Sequence, residues 1–166
     1  MLEGAEVLSQ TVEYALRVMI HLADQEGPTT TKRIAVVTRV PEGYLAKVVR
    51  SLGKAGLLRS QRGLHGGSVL ARPASNITVR DVVNAIEPVR RITTCPLGLP
   101  SHGSRLCPMH KLLDEAAARA EEVLDRSTLA DLLTVPTLSK SLCGKTRLVP
   151  MPSWTIVARA PAVLEG

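Results

Sequence analysis

The stretch PEGYLAKVVRSLGKAGLLRSQRGLHGGSVLA, from Pro41 to Ala71, changes its periodicity half-way. Up to Ala55 the apolar residues Leu45, Val48, Val49 and Leu52 recur at helical spacing. Pro41 suits the first position of that helix and Gly56 its end. From Leu57 onward two short runs flank RGLHGG, a glycine-rich turn, and read as a β-hairpin. Just upstream, TTTKRIAVVTRV reads as a short helix capped by Thr29 or Thr30, with Ile34, Ala35 and Val37 inward and a tight turn at Arg39–Val40. Short helix, tight turn, helix and hairpin, in that order, form a winged helix-turn-helix. A plain helical bundle or an αα-hairpin gives no reason for the hairpin.

The flanks supply further helices. LSQTVEYALRVMIHLADQ, residues 8–25, repeats apolar residues at Val12, Leu16, Met19, Ile20 and Ala23, with Ser9 or Thr11 as cap. Thr78 opens TVRDVVNAIE, with Asp81 completing a short-side-chain capping box, and Pro88 closes it. A long helix is expected from Pro108 to Arg126, with Leu112, Leu113, Ala116, Ala120, Val123 and Leu124 on one apolar face. That face can meet a second copy of itself or the chain's own first helix. STLADLLTVP starts a last short helix capped at Ser127 or Thr128. Beyond Pro136 the periodicity fails, and Cys143 and Trp154 have no assignment. The expected fold is therefore mainly α with a small β-hairpin. Its units are a DNA-binding domain over 1–90, a Cys/His loop over 91–107, a dimerisation helix and closing helix over 108–136, and a tail over 137–166. Only 2% of the residues are aromatic and none is Phe, so the core must be aliphatic.

A net charge of +6 and a pI near 9.7 point to a polyanionic partner, with nucleic acid first and a basic solvated surface as the alternative. The N-terminal MLEGAEVLSQ has neither the basic nor the apolar region of a signal peptide, and no run of eighteen apolar residues occurs, so a cytoplasmic location is expected. Thiols there are reduced by default. The cysteines of CPLGLPSHGSRLCPMH, residues 95–110, then suggest metal binding or redox sensing more than a structural disulfide. Two Cys and two His also suit Zn²⁺, although Cys-x11-Cys-x2-His is not a standard zinc spacing. A reversible Cys95–Cys107 disulfide without metal, and ordinary turn chemistry around Pro96 and Pro108, are the other readings. Cys107 precedes a helix N-terminus, which favours a thiolate and makes it the more reactive of the pair.

Taken together, LSQTVEYALR, YLAKVVRSLGKAGLLRSQRGLHGG, ITVRDVVNAIEP, the cysteine loop and STLADLL resemble the Rrf-two family of bacterial transcription regulators, of the IscR and NsrR type. The resemblance covers roughly residues 8–135. It implies a winged-helix homodimer that reads a palindromic operator, as a repressor, with its long C-terminal helix crossing its twin. It also implies that an iron–sulfur cluster can sit in the loop before that helix and set DNA affinity. Cluster-binding relatives commonly place three cysteines here. Cys95 fits the first position and Cys107 the third, but the middle one is Ser101, with His102 beside it. His110 coincides with a histidine of some relatives, and Glu13 with a carboxylate that some supply from the other subunit. The candidate metal ligands are thus Cys95, Cys107, His102, His110 and Glu13. They suit a [2Fe–2S] centre better than a [4Fe–4S] one, with no cofactor at all as the main alternative.

A recognition helix presents its N-terminal residues to base edges, here Pro41, Glu42, Gly43 and Tyr44, with Lys47, Arg50 and Ser51 continuing the exposed face. Relatives often carry Ser where Gly43 stands. Arg59, Arg62, His65 and Gly66 belong to the wing, and Arg62 matches the family's wing arginine, suited to a narrow minor groove. Thr29, Thr30 and Thr31 stand at a helix N-terminus that can hold a phosphate. No general base accompanies the cysteine loop and no substrate-binding motif is present, which argues against an enzyme. Salt-dependent binding to duplex DNA separates a regulator from a module that binds only protein.

Overall fold

The structure is a computed structural model that describes residues 8–61, 63, 66–98 and 105–134. Helix α1 (Gln10–Ala23) begins where the Ser9 hydroxyl accepts a hydrogen bond from the Val12 N–H. It buries Val12, Tyr14, Ala15, Val18, Met19 and Leu22, a wider stripe than the sequence pattern suggests, because four helices and a strand pack on it. Thr30 caps α2 (Thr31–Thr38) through the Arg33 N–H. Arg39 then takes a left-handed conformation, φ 55°, which makes the tight turn into α3 (Glu42–Lys54). Pro41 stands at the cap of α3 rather than at its first helical position. Its carbonyl accepts from the Tyr44 and Leu45 N–H groups. Gly56, at φ 71°, turns the chain out of α3 in a conformation that disfavours any side chain.

Strands β1 (Leu58–Gln61) and β2 (Gly67–Leu70) pair antiparallel, with Leu58 opposite Leu70 and Gln61 opposite Gly67. Alternating burial is not found in β1. Leu58 is buried, whereas Arg59, Ser60 and Gln61 are all exposed, because none of the described residues covers the far end of the hairpin. A 3-10 turn at Ala74–Asn76 leads to α4 (Val79–Ile86), whose capping box between Thr78 and Asp81 is present in full.

Helix α5 (Pro108–Arg126) has the expected bounds, with Pro108 in its first turn. It is followed by α6 (Leu129–Thr134), capped by Thr128 and Asp131 in a second reciprocal box. Backbone bonds from Val79 N–H to Ser127 and from Leu129 N–H to Ile77 fasten this segment to the start of α4. Leu129 is fully buried in the same core as Met19, Ile34, Leu45, Leu52 and Ile77. A smaller cluster of Val12, Val79 and Val83 receives Leu124 and Leu132. Among the described residues no helix is long and apolar enough to cross a membrane.

Candidate functional site

Two regions carry the predicted functional residues. The first is the outer face of α3 together with the hairpin. Glu42, Gly43, Lys47 and Arg50 are exposed, while Ser51 is half-buried. Space is open around Gly43, so a Cβ there would meet nothing within 4 Å. Tyr44 is half-exposed and sets its ring edge-on to Tyr14, with centroids 5.7 Å apart, and Arg17 lies over the other tyrosine's ring. The α1 N-terminus therefore braces the first turn of α3, a contact that the helical spacing of either segment alone does not reveal.

The hairpin is fastened beside α2. Thr29 N–H donates to the Ser68 carbonyl at 3.0 Å and Ser68 N–H to the Thr29 carbonyl at 2.9 Å. Gly67 makes this approach possible, since a Cβ there would lie 2.5 Å from the Thr29 carbonyl carbon and oxygen. Thr29 is consequently buried as a hinge between wing and helix, and Thr30 and Thr31 are the exposed members of the triplet. Arg59 is exposed on β1, and Gly66 donates its N–H to Gly63 within the turn. Arg62 and His65 lie outside the described residues.

The second region joins the 91–98 segment to α5. Cys107 caps α5 without turning its sulfur to a backbone N–H. Its Sγ instead lies 3.1 Å from His110 Nδ1, one helical turn on, and Cys95 Sγ lies 3.5 Å from the same nitrogen. One donor atom from each of the three residues falls within 4.8 Å of the others. His110 is buried at 8% exposure, so it is no surface histidine, and both cysteines are half-buried. Glu13 does not belong to this group within one chain, and is exposed and paired with Arg17. His102 and Ser101 lie outside the described residues. A second anchor, unseen in the sequence, lies beside the triad. Arg91 donates from Nε and Nη2 to the two Asp114 oxygens, and Ile92 N–H donates to the same carboxylate. Arg80 pairs with Glu121 at 3.2 Å, so α5 is held to the body by ion pairs as well as by Leu124.

A family model described as "Iron-dependent Transcriptional regulator", Rrf2, matches residues 8–135. The chain belongs to the Rrf2 family. It is thus a DNA-binding transcriptional regulator and not an enzyme. Among its relatives, the HTH-type transcriptional regulator NsrR of Geobacillus kaustophilus is 35% identical over 147 residues, covering 84% of this chain and 98% of that protein. CymR of Bacillus subtilis is 34% identical over 137 residues, covering 75% of this chain and 88% of CymR. The fold agrees. The solved structure of CymR, described as the global cysteine regulator of B. subtilis, superposes with a TM-score of 0.62 at 34% identity, covering 80% of this chain and 96% of that one. T. potens IscR gives 0.64 at 33% identity, covering 78% and 89%. The winged helix-turn-helix and long α5 of this Rrf2 protein are therefore those of its family, and the Cys/His triad occupies the joint between them.

Proposed function

We propose that this Rrf2 regulator acts as a homodimeric repressor on a palindromic operator, and that the Cys95–Cys107–His110 joint adjusts its affinity. The observation that carries the DNA reading is the placement of the wing. The Thr29–Ser68 bridge holds the hairpin beside the α2 N-terminus. The exposed start of α3 belongs to the same unit. One surface then offers major-groove contacts from Glu42, Gly43, Tyr44, Lys47 and Arg50, with Pro41 and Ser51 at its margins. It offers phosphate contacts from Thr30 and Thr31, and a wing bearing Arg59, Arg62, His65 and Gly66 for the neighbouring groove.

The dimer reading is supported by α5. Leu112, Leu113 and Val123 of its apolar face are exposed at 67%, 51% and 64%, with Met109 alongside, whereas Leu124 turns to the body. The expected face divides into an inner stripe packed on this chain and an exposed outer one, which this reading assigns to a twin. Contiguous exposed apolar surface of this kind marks an interaction site. The triad lies at the root of that helix, so a change of ligation there would alter how the two winged units are spaced.

The test is selection of bound duplexes from a randomised pool, followed by gel-shift titration at fixed salt. We expect a two-fold symmetric site with half-sites about one helical turn, roughly 10 base pairs, or a multiple of it apart. Recovery of asymmetric sites, or equal affinity for any duplex, would overturn the reading.

A further inference from the structure

We infer that Cys95, Cys107 and His110 hold a single divalent d-block ion, Zn²⁺ or Fe²⁺, rather than an iron–sulfur cluster. The inference rests on the reading of this joint as the regulator's sensory site and names its ligand. In a tetrahedral site with metal–sulfur bonds of about 2.3 Å and metal–nitrogen bonds of about 2.0 Å, the sulfur–nitrogen edge is roughly 3.6 Å and the sulfur–sulfur edge roughly 3.8 Å. The two sulfur–nitrogen separations here are 3.1 and 3.5 Å, and all three donors fit within 4.8 Å. The sulfur–nitrogen edges need adjustments of up to about half an ångström, and the sulfur–sulfur edge at most about 1 Å, to reach the corners of one tetrahedron.

A [2Fe–2S] centre fits less well. Three ligands must be shared between two irons, so at least one donor stands across the width of the rhomb from another. These three donors are mutual neighbours. Ser101 also stands where the resemblance to cluster-binding relatives places the middle cysteine.

Other features agree with one ion. Cys107 caps α5 and His110 lies three residues on in its first turn, so they share a face. Cys95 closes the site from the preceding segment, which the Arg91–Asp114 pair already fixes against α5. Two thiolates and one neutral imidazole give a divalent ion no net charge, as a half-buried site requires. Thiolate with imidazole is the donor mixture that zinc and iron accept, and the three ligands found among the described residues leave a fourth coordination position to fill.

The full-length protein, purified anaerobically, is expected to carry one zinc or iron per chain by elemental mass spectrometry, with no acid-labile sulfide. The metal found distinguishes the two ions. After removal of the metal, Co²⁺ should restore a thiolate-to-cobalt charge-transfer band and the intense visible bands of a tetrahedral site. Cys95→Ser, Cys107→Ser and His110→Ala should each lose those bands, and Cys143→Ser should keep them. Should a variant fail to fold by circular dichroism, the wild type still decides, because Zn²⁺ should shield Cys95 and Cys107 from alkylation. Iron with stoichiometric sulfide, bands retained in both Cys95→Ser and Cys107→Ser, or a metal-free Cys95–Cys107 disulfide would each overturn the inference. Operator binding is measured separately on the same samples. Equal DNA affinity with and without the ion would remove the switch while leaving the metal site in place.

Discussion

Asp114 receives Arg91 on both its oxygens, each at 2.7 Å, so the segment leading to Cys95 is clamped to α5 one turn beyond His110. The Arg91 hydrogen bonds, with the Ile92 N–H second, hold the Asp114 carboxyl at about 2, below its ordinary 3.8. A depressed carboxylate stabilises the fold above its unfolded pKa and stops doing so as pH falls through its folded value. The clamp should therefore be complete at neutral pH and weaken between pH 3.8 and about 2. Both partners are solvent-accessible, so the effect should be local rather than global. Asp114→Asn should lower the protection of the Ile92 amide against hydrogen exchange at pH 7 and remove the loss of that protection in acid. Unchanged exchange in the variant would show that the clamp does not order this segment.

Gly67→Ala should uncouple the wing. The added Cβ would meet the Thr29 backbone at 2.5 Å, and backbone cannot yield as a flexible side chain can. Overpacking of this kind costs about 1–3 kcal/mol. Thermal unfolding should show that loss, and operator affinity should fall further than stability alone explains, because the hairpin leaves its place beside α2. Gly56→Ala serves as comparison. Its left-handed conformation costs roughly 1–2 kcal/mol on adding a side chain, but the residue lies in open space away from the wing bridge. Equal effects of both variants on DNA binding would deny the bridge its positioning role.

The local signals account for much of this. Ser9, Thr30, Thr78 and Thr128 cap helices because a hydroxyl beside orphan N–H groups acts within one turn of chain. The start of α5 follows from Pro108, whose fixed φ and missing N–H suit a first helical position. What spacing did not reveal is contact between distant segments. Arg91–Asp114, Tyr14–Tyr44 and Thr29–Ser68 each join segments whose own patterns contain no mark of the partner. Burial of His110 was equally hidden, since a polar residue in a helix's first turn is ordinarily solvated. Cys95 and Cys107 could be named from residue type, but their convergence on one nitrogen is a property of the fold.

Basic side chains on α3 and on the wing should differ in what they lose. A phosphate contact contributes through released counterions, so its removal weakens all sequences alike and lowers the salt slope by about one. A contact to guanine instead costs about 1–3 kcal/mol at one base pair and relaxes specificity there. Lys47→Ala and Arg50→Ala, both on the exposed face of α3, are expected to separate into these classes in gel-shift titrations at several salt concentrations. Arg62→Ala should weaken operator binding without lowering the melting temperature. Normal affinity in that variant would remove Arg62 from the interface.

Space at Gly43 offers a gain of function. Its Cβ would meet nothing within 4 Å, in the first turn of α3. Gly43→Ser should stabilise the helix by up to about 0.5 kcal/mol, because glycine is the costlier residue in a helix. It also supplies a hydroxyl donor on the face proposed to meet DNA, so operator affinity should rise in gel-shift titration. A drop in affinity would mean that the backbone at Gly43 approaches the DNA too closely for a side chain.

The outer stripe of α5 is the most direct test of assembly. Leu112 and Val123 are exposed at 67% and 64%, and neither belongs to the two core clusters of the chain. Replacing both with Glu should leave the melting of an isolated chain within about 0.5 kcal/mol, as expected for surface positions. In a dimer the same pair of charges would be buried against the twin helix without partners, which is strongly unfavourable. Sedimentation velocity should then report a dimer for the wild type and a monomer for the double variant. Operator affinity should fall by far more than the loss of one side-chain contact, since each winged unit would bind its half-site alone and forfeit the effective concentration that linkage provides. A double variant that stays dimeric would place the interface elsewhere on the chain.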